Sequence, residues 1–149
     1  GLDALILAAA GLNRLGLSRV YRGLLSEDEM LPAVAQGALG LEGRAADQRI
    51  REAIAFLDHP PSRIAVTAER AFLARLEGGC MVPVAALGRV EGDSLTLEAL
   101  ISDLEGRRYL RDRSSGHLDD ARFLGTDLAN RLLDLGGREI LAELCAQPL

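Results

Sequence analysis

The chain has 149 residues, of which 48% are apolar and only 3% aromatic, with no Trp, so a core must be built from Leu, Ile, Val and Ala. That is material for one ordinary domain or two small ones. A formal charge of -5 offers no basic face for nucleic acid; no apolar run approaches the roughly 18 residues of a membrane span, and no charged-then-apolar leader opens the sequence, so a cytoplasmic protein without nucleic-acid or membrane partners is expected.

The sequence begins on Gly1 and runs at once into LDALILAAAG, which reads as a cut. Ala4 to Ala9 is apolar without alternation and ends at Gly11. This predicts a strand buried on both faces, as in parallel sheets, followed by a short helix over Leu12–Leu17. Such a strand needs neighbours on both sides, and few candidates occur before residue 60. Residues 1–57 therefore read as the remnant of larger domains whose other strands lie outside this sequence. From Met30 to Arg44 (MLPAVAQGALGLEGR), Pro32 and the glycines predict an extended, turning segment, with Leu39 and Leu41 alternating as in a short strand. Ala46–Leu57 is helical by spacing, with Asp47 near its start and Ile50, Ala53, Ile54 and Leu57 on one face. His59-Pro60-Pro61 stops it and marks the best boundary in the chain.

Residues 62–149 read as a self-sufficient unit. A helix capped by Ser62 runs to Glu77, with Ile64, Ala68, Phe72 and Leu76 on its apolar face, and Gly78-Gly79 ends it. Short turns then join Val84–Val90, Leu95–Ile101 and Arg107–Arg113 into an antiparallel meander. Leu95, Leu97, Ala99 and Ile101 alternate with Thr96, Glu98 and Leu100. Two helices close the chain: Asp119–Leu135, presenting Ala121, Leu124, Leu128 and Leu132, and Arg138–Cys145, presenting Ile140, Leu141 and Leu144. The expected class is α/β in the broad sense (α+β): an α-β-β-β-α-α order, a three-stranded sheet with helices on one face.

Two cysteines form neither a metal-ligand pair nor a disulfide framework, and no metal site is expected. Cys145 lies among Leu141 and Leu144 and reads as packing. Cys80, in RLEGGCMVP, sits in a turn just past a helix C-terminus and near Glu77. Both disfavour the thiolate and argue against an activated nucleophile. Three readings stand on the residues alone: an inert loop cysteine, a Cys/His pair using His59 or His117, and a lasting attachment point for an electrophilic ligand. The glycines of QGALG (36–40) could turn backbone N–H groups toward an anion, but without a Lys-Ser/Thr they read first as a turn. Arg14 follows the predicted buried strand, whose C-terminal end is where open α/β sheets bind ligands. All seventeen basic residues are Arg, a composition bias that also suits bidentate carboxylate binding.

Four stretches together resemble the porphobilinogen deaminase (hydroxymethylbilane synthase) family: LAAAGLNRLGL (7–17), LPAVAQGALGLEGR (31–44), VTAERAFLARLEGGCMVPVAALG (66–88) and GGREILAEL (136–144). Their order and spacing run along nearly the whole chain, and the LEGGC loop is highly specific to the family. The resemblance implies that residues 1–31 end a second, periplasmic-binding-protein-like α/β domain. It implies that 32–57 return through a first domain and that 58–149 form a C-terminal cofactor-anchoring domain. It further implies a transferase of tetrapyrrole and heme biosynthesis. Four porphobilinogen units would be joined, with release of ammonia, to a dipyrromethane held on Cys80 by a thioether, and hydroxymethylbilane would be released by hydrolysis. Arg14, Leu7, Ala8, Gln36 and Gly37 correspond to positions around cofactor or substrate.

The partners so implied are porphobilinogen, the growing oligopyrrole and the N-terminal domains of the same protein, a monomer when whole. The family's catalytic aspartate lies in the first domain and matches nothing here; no catalytic residue is assigned, and this chain alone is expected to be inactive. Two positions depart from the family pattern: Ala35 stands where glycine is common, and Met81 where a polar residue often follows the cysteine. The competing class is a non-enzymatic α+β ligand-binding or regulatory module.

Overall fold

The computed structural model describes residues 2–20, 23–76 and 83–146. Its contacts divide the chain into two compact units, Gly1–Met30 and Leu31–Leu149. Among the described residues no helix is long and apolar enough to cross a membrane.

Among its described residues the first unit carries one short helix, α1 (Ala9–Arg14). The strand expected over Ala4–Ala9 does not form: Leu5, Ile6 and Leu7 are exposed and lie in no regular element. A strand buried on both faces exists only through ladder bonds to neighbours, and the described residues of this unit offer no second strand. The helix expected over Leu12–Leu17 starts earlier and stops at Gly16. There φ is +71°, the Gly16 N–H donates to Asn13 O (3.1 Å) and the Leu17 N–H donates to Leu12 O (2.8 Å). This is a Schellman stop, and glycine suits its left-handed position.

In the second unit, residues 31–47 form no regular element, and Leu39 and Leu41 are exposed rather than strand-paired. Helix α2 (Gln48–Ile54) is capped by Asp47, whose Oδ1 accepts the Ile50 N–H at 3.1 Å. A 3-10 turn, Ala55–Leu57, extends it. The face expected to be buried stays largely open, with Ile50 and Leu57 exposed.

Helix α3 (Pro60–Arg75) begins earlier than the spacing indicated. His59, not Ser62, is its cap; its Nδ1 accepts the Ser62 N–H (3.4 Å) and lies 2.8 Å from Ser62 Oγ. Pro60 and Pro61 occupy the first two helical positions, where a missing N–H loses nothing and the fixed φ already suits a helix. The prolines that end one helix thus start the next.

Strands β1 (Val84–Glu91), β2 (Ser94–Ser102) and β3 (Tyr109–His117) form an antiparallel sheet in the order β1-β2-β3. Leu95, Leu97, Ala99 and Ile101 are fully buried against α3 and the helix that follows the sheet, opposite Val90, Gly88, Ala86 and Val84 of β1. The other face carries polar cross-strand pairs, with Thr96 Oγ1 3.0 Å from Ser115 Oγ and Arg111 Nε donating to Glu98 Oε1 at 2.7 Å. β3 starts later than expected. Asp103 accepts the N–H groups of Arg107 (2.9 Å) and Arg108 (3.1 Å), which ties 103–108 into a loop. The strand then runs on through the polar stretch Ser114–His117.

A 3-10 turn (Leu118–Asp120) leads into α4 (Ala121–Leu132), which buries Ala121, Leu124, Leu128 and Leu132 as expected. A kink over Leu133–Gly137, with Gly136 at φ +118°, turns the chain into α5 (Arg138–Ala146). Ile140 is buried there, and Leu141 and Leu144 pack on the core. Arg131 ties α4 to β3, its Nη2 donating to Asp112 Oδ2 (2.6 Å) and to Arg113 O (3.0 Å). Arg108 forks onto Glu143 of α5 while its Nε donates to Asp103 Oδ2 (3.3 Å). Residues 77–82, including Gly78, Gly79 and Cys80, and the Cys145 side chain lie outside the described set.

Helices α3 and α4 cross at Gly125, where an added Cβ would lie 2.2 Å from Ala68 O and 2.9 Å from Phe72 N. Gly125→Ala should therefore lower stability by about 2 kcal/mol, because overpacking of up to about 3 kcal/mol outweighs the roughly 1 kcal/mol gained in helix propensity. Urea unfolding measures this, and a variant as stable as the parent would show that the helices do not approach this closely.

The Arg108 cluster contributes to the pH dependence of stability in the acid range. The Arg108 fork holds the Glu143 carboxyl below its ordinary 4.5. Burial pushes Asp103 up, but the Arg107 N–H, the Arg108 guanidinium and the Arg108 N–H outweigh it and leave it below 3.8. Groups depressed on folding contribute stability above their unfolded values, and that contribution is lost as pH falls through the folded ones. The Asp103→Asn, Glu143→Gln double variant should lose less stability than the parent between about pH 5 and about pH 3. An equal acid loss in urea titrations at the two pH values would refute this.

Candidate functional site

The segment Leu31–Ala38 is built on two overlapping turns. The Gln36 N–H donates to Ala33 O (2.9 Å) and the Ala38 N–H to Ala35 O (3.1 Å). Each turn carries a left-handed residue at its third position, Ala35 at φ +60° and Gly37 at +85°. Type II turns need such a residue, and glycine supplies it without strain. Alanine does not: the left-handed region costs a residue with a Cβ about 1–2 kcal/mol. The departure noted at position 35 therefore falls on a position where glycine would be relaxed.

The turn is held from beneath. Leu31 is buried, and Val34 packs on the core. Glu69 of α3, 4% exposed, accepts the Ala35 N–H at 2.6 Å through Oε2 and the Gly88 N–H of edge strand β1 at 2.8 Å through Oε1. A hydrogen bond to a charged acceptor contributes about 1.5–3 kcal/mol. Gln36 and Gly37 stand at the exposed tip, and a Cβ built at Gly37 meets nothing within 4 Å. Gly88, by contrast, brings β1 against α3, with a notional Cβ 2.9 Å from Ala65 Cα.

Cys80 belongs to residues 77–82, outside the described set; the residues on either side of that stretch are held in the fold. Leu76 is buried at the C-terminus of α3, and Pro83 O accepts the Ser102 N–H at 3.0 Å as β1 begins. His59 and His117 each accept an N–H at a helical start, the second from Asp119 at 3.3 Å. In the first unit Leu7 and Ala8 are exposed and lead into α1, with Ala8 at the N-cap. Arg14 occupies the last turn of α1, exposed and with no ion pair among the described residues. Leu7, Ala8 and Arg14 thus belong to one unit, and Gln36, Gly37 and Cys80 to the other. Among the described residues no cluster of three or more His, Cys, Asp or Glu could hold a metal ion.

Sequence reasoning missed Glu69. Its signal was available: an acidic residue between Ala68 and Phe72 on the apolar side of a helix, where a charge persists only with partners.

Comparison with known proteins bears on both units. The family model "Porphobilinogen deaminase, dipyromethane cofactor binding domain" matches residues 1–52, which contain Leu7, Ala8, Arg14, Gln36 and Gly37. "Porphobilinogen deaminase, C-terminal domain" matches 63–134, which contain Glu69 and Cys80. Among curated relatives, the porphobilinogen deaminase of Trichlorobacter lovleyi is 55% identical over 143 residues, covering 96% of this chain and 46% of that protein. That of Roseiflexus castenholzii is 52% identical over 140 residues (94% and 46%), and that of Moorella thermoacetica 49% over 147 (99% and 47%). The chain spans about half the length of the curated relatives it matches. With two of the family's domain models and relatives at about half identity extending over nearly its whole length, the chain belongs to the porphobilinogen deaminase family.

Proposed function

We propose that this chain is the cofactor-anchoring part of a porphobilinogen deaminase, the transferase that joins four porphobilinogen units with loss of ammonia and releases hydroxymethylbilane by hydrolysis. The observation that carries this reading is that the match to the dipyromethane cofactor binding domain covers Leu7, Ala8, Arg14, Gln36 and Gly37 together. The whole protein is read as a cytoplasmic monomer in which residues 1–31 and 32–57 complete the second and first domains and 58–149 form the third.

The donor chemistry fits a dipyrromethane. Its pyrroles carry acetate and propionate groups, which call for guanidinium forks and backbone N–H groups. Arg14 is exposed and without an ion pair among the described residues, so its fork is available to a carboxylate. At the turn tip, Gly37 leaves backbone room for a ligand and Gln36 offers an amide. Leu7 and Ala8 give an apolar edge beside α1. Cys80 would hold the group by a thioether. That role needs access rather than an activated thiolate, consistent with the sequence position of Cys80 just past a helix C-terminus. When bound, dipyrromethane supplies the pyrrole carbon to which incoming units are joined. No position here matches the family's catalytic aspartate, so proton transfer to the leaving amine is assigned to the remaining polypeptide.

Intact-mass measurement of the full-length parent protein tests the anchor. We expect a mass excess of two linked pyrroles that is lost in Cys80→Ser; an unmodified Cys80 in protein from an active source would overturn the assignment. The 149-residue chain alone should release no ammonia from porphobilinogen, and turnover by it would show that the acid is present after all.

A further inference from the structure

We infer that Glu69 is a positioning residue that clamps the 33–38 turn to α3, so that the helix preceding Cys80 in the sequence also sets the Gln36–Gly37 tip. The functional weight of this rests on the proposed roles of Gln36, Gly37 and Cys80; the clamp itself does not.

Glu69 is a carboxylate at 4% exposure on the apolar side of a helix. A charge so placed is tolerated when its oxygens are hydrogen-bonded. Both are, and each bond reaches a segment distant in sequence: Ala35, 34 residues earlier, and Gly88, 19 residues later. One side chain therefore ties three separate pieces of backbone. The Ala35 bond, at 2.6 Å, secures the residue whose left-handed φ of +60° alanine resists. Without that bond the turn would relax, and Gln36 and Gly37 would move with it. The same helix ends at buried Leu76, four positions before Cys80 in the sequence. Leu76 lies seven positions beyond Glu69, a rise of about 10 Å. α3 thus sets the spacing between the clamped turn and Leu76.

Amide hydrogen exchange followed by NMR on the full-length parent protein tests this. In the parent, the Ala35 N–H should exchange at least about 100-fold more slowly than an unstructured amide, although it lies in a turn. Glu69→Gln keeps the shape but leaves one acceptor oxygen and turns an NH₂ toward one of the two N–H groups. It should speed exchange at Ala35 at least about tenfold, with 36–38 following, while Leu97 and Leu128 stay within about twofold. In an Ala35→Gly background the turn is relaxed at its strained residue, and the Glu69→Gln effect on 36–38 should shrink. An unprotected Ala35 in the parent overturns the clamp even if the variant does not fold. So does a uniform rise across β2 and α4, or an unchanged Glu69→Gln effect in the glycine background. These readouts need no ligand, so failure of the clamp is distinct from failure of the cofactor reading, which would show as an unmodified Cys80.

Discussion

The close crossing of α3 and α4 is the contact on which the second unit depends. Because Gly125 has no side chain, α4 can rest on the α3 backbone at Ala68 and Phe72, and the two helices form one layer. That layer is what β2 buries its four core residues against. Gly88 repeats the device between β1 and α3. Two absent side chains therefore set the depth of the layer, and the large residues Phe72, Leu97, Ile101, Leu128 and Leu132 fill what remains. Glu69 lies within the same layer, one residue beyond Ala68, so the position of the 33–38 turn is inherited from the packing.

Much of this unit is legible in the sequence because burial leaves a periodic trace. The alternation from Leu95 to Ile101 and the spacing of Leu124, Leu128 and Leu132 each report one buried face, and each face is where the pattern puts it. β3 is less legible, because its second half (Ser114, Ser115, Gly116, His117) reaches the sheet through backbone pairing opposite Leu97 to Ser94 rather than through apolar side chains. The start of α3 is misread for a similar reason: proline reads as a stop, yet at the first helical positions it is compatible with a start. The apolar run at 4–9 shows the reverse failure. Its residues have strand character, but a strand is a relation between segments, and composition cannot supply the partner.

The candidate site divides along the same line. Gln36 and Gly37 are marked by glycine and turn chemistry, and Cys80 and Arg14 by resemblance to a family. Glu69 has neither marker. Its role depends on two backbone groups that only the fold brings to it, and a single acidic letter in a helix does not say which N–H groups it will meet. The left-handed φ at Ala35 is equally hidden, although the departure from glycine pointed to the right position.

The α3–α4 crossing also bears on the order of assembly. Ala68 and Gly125 are 57 positions apart in the sequence, and closing a flexible loop of that length costs about 3.6 kcal/mol by the logarithmic rule. The meander between them is local: β1 to β2 turns over two residues, and β2 to β3 over a loop held by Asp103. Once those hairpins exist, most of the intervening chain is already ordered, and the effective loop is far shorter. The cheapest route therefore builds the sheet from near neighbours first and brings the helices together over it last. A contact that fixes the final architecture is on this route among the last to form.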